Sequence, residues 1–157
     1  GLNLRSADVF GWLREVRFEL AESLKSQGIE LVLEMPESEE AVASFDVLKL
    51  RQVLDNLVEN ASKYAFSDGV ILLGGRLGKQ NVEIWVADEG PGVPENELTK
   101  IFGRFYRVDK GRSRDRGGTG IGLSIVKHIV ECHRGQVWAE ILEGKGLKVS
   151  VRIPLAR

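Results

Sequence analysis

The sequence predicts an α+β two-layer sandwich, a mixed and mostly antiparallel sheet packed on about three helices. Apolar residues recur at helical spacing in three separate segments. The later strand segments come as two hairpins joined by short glycine-containing turns. Strand and helix followed by paired hairpins place the helices on one face of the sheet. The 157 residues fit a single domain that can bury a core without disulfide or metal staples.

The first helix follows from Val9, Leu13, Val16, Leu20 and Leu24, with Ser6 or Asp8 as N-cap and Gln27-Gly28 as a stop. Ile29–Met35 alternates like a half-buried strand, Pro36–Glu40 turns the chain, and Ala41–Phe45 offers a second short strand. Asp46 can cap a long helix with the core stripe Leu50, Val53, Leu54, Leu57, Val58 and Ala61, running to about Ala65. Gly69–Leu77 and Asn81–Asp88 read as a hairpin. Pro94 opens a short helix through Ile101. From Tyr106 to Gly118 the chain is polar, charged and glycine-rich, which predicts a mobile surface loop. A strong helix follows, with Ile121, Ile125, Val126, Ile129 and Val130 on its core face. Gly135–Glu143 and Leu147–Pro154 close the chain as the second hairpin.

A net charge of −1 gives no global basic field, which argues against nucleic acid or an anionic membrane surface as the partner. The single cysteine, Cys132, excludes an internal disulfide and suits a reducing compartment. No apolar run approaches the roughly 20 residues of a membrane helix, and the N-terminus has no signal-peptide pattern. The 18 glycines exceed the average usage of about 7%, and most lie between Gly69 and Gly146, where a ligand would need close backbone approach.

Three constellations carry chemistry. At about 100° per residue, Asn56, Asn60, Lys63 and Tyr64 share one sector beside the core stripe of the long helix, while Glu59 points away. Asparagine is a mediocre helix former, so the pair needs a reason; amide oxygens and an ammonium suit a hydrated hard cation and phosphate oxygens. Alone, this sector equally fits an exposed polar edge. Asp88 ends a strand and is followed by Gly90 and Gly92. Such a carboxylate accepts a hydrogen bond from an amine and rejects a carbonyl, although the motif alone also fits a tight turn. "GGTGIGLSIVK" (Gly117–Lys127) is a glycine-rich loop opening a helix, whose N–H groups around Gly120–Leu123 favour phosphate. Its spacing matches neither a Walker loop nor a dinucleotide fingerprint.

Together "LRQVLDNLVENASKY", "DEGPG", "IFGRFYRVD" and "GGTGIGLSIVKHIVECHRG" resemble, in order and spacing, the catalytic ATP-binding domain of bacterial sensor histidine kinases. This is the Bergerat-type fold shared with gyrase, mismatch-repair ATPases and heat-shock ATPase chaperones. The resemblance implies ATP and Mg2+ as ligands, the metal held through Asn60 with Asn56 close by. It implies phosphates near Lys63 and Arg107, adenine on Asp88 with Gly90 and Gly92, and a pocket lined by Tyr64 and Tyr106. Gly118, Thr119, Gly120, Ile121, Gly122 and Leu123 would form the phosphate-side loop, and Phe102 and Phe105 resemble the phenylalanine box supporting the lid. Two departures, Leu147 where threonine is common and Arg134 where glycine is common, are expected to leave the pocket untouched.

Hydrolytic relatives carry a glutamate four residues before the magnesium asparagine. Here that residue is Asn56, and an amide cannot take a proton near neutral pH. Asn56, Lys63 and Arg107 are therefore expected to position and neutralise phosphate for another nucleophile, a histidine on a separate dimerisation domain of the same or a partner subunit. Neither His128 nor His133 has the setting of that acceptor, and Cys132 reads as core rather than reactive. Arg112, Arg114 and Arg116 read as a solvated loop. The residues 1–157 are expected to form one catalytic domain with a lid over about 106–118, monomeric by itself and without self-phosphorylation. A response regulator would be the downstream partner, and the location cytoplasmic, any membrane anchor lying outside these residues. The alternatives within this fold are a serine kinase or switch of the anti-sigma-factor type and a slow ATPase.

Overall fold

A computed structural model describes residues 1–64, 69–106, 122–143 and 146–156. In chain order the elements are β1 (Arg5–Asp8), α1 (Val9–Lys25), β2 (Glu30–Glu34), β3 (Val42–Phe45), α2 (Val47–Tyr64), β4 (Val70–Leu77) and β5 (Asn81–Asp88). Two 3-10 turns follow (Glu95–Glu97 and Lys100–Phe102), then α3 (Gly122–Cys132), β6 (Gln136–Ile141) and β7 (Leu147–Pro154). The expected helix from Pro94 to Ile101 is thus two separate turns: Pro94 keeps extended ψ at 140°, and the Gly103 N–H closes the second turn on the Lys100 carbonyl.

Of the two candidate caps for α1, Asp8 serves. Its carboxylate accepts the N–H groups of Phe10 (3.2 Å) and Gly11 (3.1 Å), satisfying donors that a helix start leaves orphaned. The same carboxylate accepts the Ala41 N–H at 2.8 Å, which fixes the entry to β3. Ser6 instead lies in β1, which pairs antiparallel with β3 from Arg5↔Phe45 to Asp8↔Val42. At its far side β3 bridges to the tail through Ala43↔Leu155, and Ala156 N–H donates to the Val42 carbonyl. Gly28, at φ 79°, takes the left-handed turn after α1 that a side chain would resist.

The main sheet has the order β2-β4-β5-β7-β6, with β2 parallel to β4 and every other pair antiparallel. Its inner face is apolar by strand alternation: Ile71 and Leu73, then Val82, Ile84 and Val86, then Val149, Val151 and Ile153 are all buried. Against it lie the stripes of α1 (Phe10, Leu13, Val16), α2 (Leu50, Val53, Leu54, Leu57) and α3 (Val126, Ile129, Val130). Each such side chain contributes about 1.5–3 kcal/mol on burial, so this layer contact is the main source of stability.

The outer face solves a different problem, a nearly buried carboxylate. Glu83 of β5 faces Arg76 on β4 and Arg152 on β7 in register. Its oxygens accept from Arg76 at 2.5 Å and from Arg152 at 2.7 Å. Burial pushes the Glu83 carboxyl up, but Arg152 and Arg76 together outweigh it and hold it below the ordinary value of 4.5. Beside this triad the Lys148 ammonium stands 4.5 Å from the Trp85 ring centroid, and the Arg152 guanidinium 4.9 Å from that of Trp138. Trp85 can lie flat there because its cross-strand neighbour is Gly74, where a Cβ would come within 2.1 Å of the indole.

Two outcomes are expected. Gly74→Ala lowers the unfolding free energy by about 1–3 kcal/mol in urea melts. Most of that loss disappears when Trp85→Ala is added, a coupling that a double-mutant cycle reads directly. Because the folded Glu83 value is depressed, its contribution is fully present above pH 4.5 and fades as pH falls through the lower folded value. Melts from pH 7 to pH 3 should therefore show wild type losing more stability than Glu83→Gln, with the variant less stable by on the order of 1 kcal/mol at pH 7.

Candidate functional site

The polar residues of α2 are sorted between its two neighbours. Arg51 turns toward α1, pairing with Glu19 there and with Asp55 at 2.8 Å. One step around, Asn56 turns toward α3, and its amide nitrogen donates to the Gly122 carbonyl at 3.3 Å. One turn later stands Asn60, half-buried, whose carboxamide has no hydrogen-bond partner among the described residues. Lys63 and Tyr64 complete the sector; the Lys63 ammonium lies 3.7 Å from Glu59, so the two residues expected on different faces lean toward each other.

Asp88 ends β5 on the inner face, in phase with Val82, Ile84 and Val86, and is 4% exposed. Its Oδ1 accepts the Gly90 N–H at 2.8 Å. Burial raises the Asp88 carboxyl above the usual aspartate range, and the N–H groups of Gly90 and Leu147 oppose that without cancelling it. The surrounding backbone is packed too tightly for side chains: a Cβ on Gly90 would meet the Tyr64 carbonyl oxygen at 2.3 Å, and one on Gly146 the Asp88 carbonyl oxygen at 2.1 Å. Gly92 has φ 70°, which only glycine adopts without strain. The acidic motif is thus clamped between the C-terminal end of α2 and the start of β7.

That geometry corrects one expectation. Leu147 does touch the pocket: it is buried, stands at the cross-strand position beside Asp88, and its backbone N–H holds the carboxylate. The Gly-Lys-Gly turn before it was the available signal, since Gly146 is what lets β7 approach Asp88. Arg134 stays away, at the far end of α3, where it takes the left-handed conformation (φ 61°) that explains glycine at such a position.

The two phenylalanines separate. Phe102 is buried with Ile101, whereas Phe105 is exposed, with φ 67° and the Arg104 guanidinium 5.3 Å from its ring. Tyr106 packs on the core, and its hydroxyl is shut off from solvent with no hydrogen bond of ordinary geometry among the described residues. Burial, with the Glu97 carboxylate and Tyr64 nearby, pushes the phenol up to about 12. Glu97 was missed in the sequence because nothing there places it against Tyr106. Gly122 and Leu123 form the first turn of α3 beside Asn56. Arg107, Gly118, Thr119, Gly120 and Ile121, like Arg112, Arg114 and Arg116, lie outside the described residues.

His133 is buried and bonded on both ring nitrogens, accepting from the Asp46 N–H at 3.0 Å and lying 2.8 Å from the Ile129 carbonyl. It is structural, as expected. Cys132 is exposed rather than core, 3.8 Å from the ring of the equally exposed His128, because its position falls on the solvent side of α3.

A model of the family described as histidine kinase-, DNA gyrase B-, and HSP90-like ATPase matches residues 45–157. The sensor histidine kinase WalK of Bacillus subtilis (strain 168) is 37% identical over 150 residues, covering 91% of this chain and 24% of WalK. This chain therefore spans about a quarter of that relative's length. Among solved structures, the catalytic domain of histidine kinase ThkA superposes with a TM-score of 0.83 at 30% identity, over 98% of each chain. Full-length ShkA in complex with AMPPNP gives 0.84 at 29% identity, over 99% of this chain and 32% of ShkA. The chain belongs to the histidine kinase-, DNA gyrase B-, and HSP90-like ATPase family, as the Bergerat-fold ATP-binding domain of a sensor histidine kinase.

Gly90→Ala should cost at least tenfold in affinity for an ATP analogue by calorimetry, because the added methyl meets backbone that cannot rotate away. Lys79→Ala, on the exposed turn between β4 and β5, serves as the control and should bind as wild type does.

Proposed function

We propose that this domain holds Mg2+-ATP and presents its terminal phosphoryl group to a histidine on a dimerisation domain, the same or a partner subunit's. The observation that carries this reading is the buried Asp88, clamped by the N–H groups of Gly90 and Leu147 at the C-terminal end of α2, a helix whose polar sector carries Asn56 and Asn60 in place of a carboxylate base. A carboxylate so placed reads an exocyclic amine, and a carbonyl in its place would leave a buried acceptor unpaired at about 1–3 kcal/mol.

The residues present fit the ligand. Asn60 offers an amide oxygen without another partner among the described residues, and Lys63 and the first turn of α3 supply positive charge and N–H donors. Among those residues no three His, Cys, Asp or Glu side chains gather, so a divalent ion would be held by amide oxygen, water and ligand oxygens, as suits magnesium. When bound, Mg2+-ATP supplies the transferable group and a metal charge that offsets its oxygens. Arg107 would add charge to that side, so Arg107→Ala should lower transfer more than affinity. The solved relatives support the reading: ShkA is in complex with AMPPNP, and ThkA has also been solved with the response regulator TrrA. A response regulator is the downstream partner on this reading, and a cytoplasmic location goes with the use of ATP.

Asn56 does two things at once. It withholds a water-activating carboxylate, and its amide donates to the Gly122 carbonyl. A glutamate there would set a carboxylate against that carbonyl. Asn56→Glu should therefore lose nucleotide affinity by tenfold or more without gaining hydrolysis, measured by calorimetry and phosphate release; a rise in hydrolysis would show instead that the site needed only a base. For the function itself, the domain is mixed with its parent's histidine hairpin and γ-labelled ATP. An acid-labile, base-stable product is expected, and an acid-stable phosphoester would mark a hydroxyl acceptor.

A further inference from the structure

We propose that His133 is a positioning residue for the phosphate side of the site: it fixes how far along α2 the helix α3 sits, and so where the first-turn N–H groups of α3 stand relative to Asn56 and Asn60. The inference rests on the nucleotide reading above. It starts from the way two helices are tied. The 11 residues of α3 span about 16 Å, and α3 has a polar tie to α2 near each end. At its start the Asn56 amide reaches the Gly122 carbonyl at 3.3 Å; just past its end the Asp46 N–H, at the head of α2, reaches His133 Nε2 at 3.0 Å. The apolar contacts between are non-directional and tolerate small slides, whereas a hydrogen bond does not.

The second tie is built to be rigid. The His133 Nδ1–H donates to the Ile129 carbonyl at 2.8 Å, which fixes the ring and leaves Nε2 with the lone pair that Asp46 needs. Asp46 cannot follow a displaced ring, because its carboxylate accepts the N–H groups of Asn3 at 2.9 Å and Lys49 at 3.1 Å. Both residues are 6% exposed, so water does not replace a lost partner without a shift of the backbone. An anion site built from helix N–H groups works only within a fraction of an ångström, and the far end of α3 sets that tolerance.

The test separates this role from general support of the fold. His133→Phe keeps an aromatic ring and removes the acceptor. At a temperature where the variant is folded by circular dichroism, calorimetry is run with a non-hydrolysable ATP analogue plus magnesium and, separately, with adenosine. Adenosine, read at Asp88 on β5, is expected to bind within twofold of wild type, while the triphosphate analogue loses tenfold or more. His133→Gln, whose side-chain oxygen restores an acceptor, should recover most of the loss. Equal losses for both ligands, or none for either, overturn the positioning role. Wild-type protein binding neither ligand overturns the nucleotide reading itself, and this inference with it. Should the Phe variant not fold, wild type is decisive by NMR: the Asp46 amide resonance moves on adding the triphosphate analogue and not on adding adenosine. A resonance that moves with both or neither overturns the proposal.

Discussion

A carboxylate buried at the end of a central strand is the constraint around which this domain is arranged. Asp88 must lose most of its water and still find donors, and the nearest ones are backbone N–H groups that reach it only if two neighbouring strand ends come unusually close. Gly90 and Gly146 make that possible by having no Cβ to meet the carbonyls of Tyr64 and Asp88. From this follow the position of the α2 terminus, the start of β7 and the register that sets Leu147 beside the acid. The cost is a carboxyl raised above its usual range.

Helix α2 supplies the second organising element because it serves three neighbours from one cylinder. Its apolar stripe covers the sheet, Arg51, braced by Asp55, meets Glu19 of α1, and Asn56 meets α3. Uncharged amides are what the α3 side tolerates, since a half-buried carboxylate facing a carbonyl would have no compensating charge. On the proposed reading the same residue then serves packing and chemistry, since Asn56 both joins the two helices and stands where a hydrolytic base would.

The parts legible in the sequence were those with strong periodicity or close motif spacing. The α2 stripe, the two hairpins and the Asp88 glycine motif announce themselves within ten or so residues. β1 did not, because Arg5-Ser6-Ala7-Asp8 has no apolar alternation and exists only through its pairing with β3. Leu147 was misjudged for a related reason: its role belongs to its backbone N–H and its strand register, which residue identity does not report. Cys132 illustrates the converse, since at the last turn of α3 a shift of about 100° decides between core and solvent. Gly118–Ile121 and Arg107 lie outside the described residues, so their assignment to a phosphate side is carried by the glycine pattern and the sequence resemblance.

The small ribbon at the margin of the fold has a consequence for how its outer segments hold together. β3 is flanked on one side by β1 and on the other by the bridge at Leu155, in the register Ala7↔Ala43↔Leu155. With strands about 4.8 Å apart, the first and last segments run roughly 10 Å from one another. Loosening either flanking segment exposes one edge of β3, so the ribbon holds or frays as a unit.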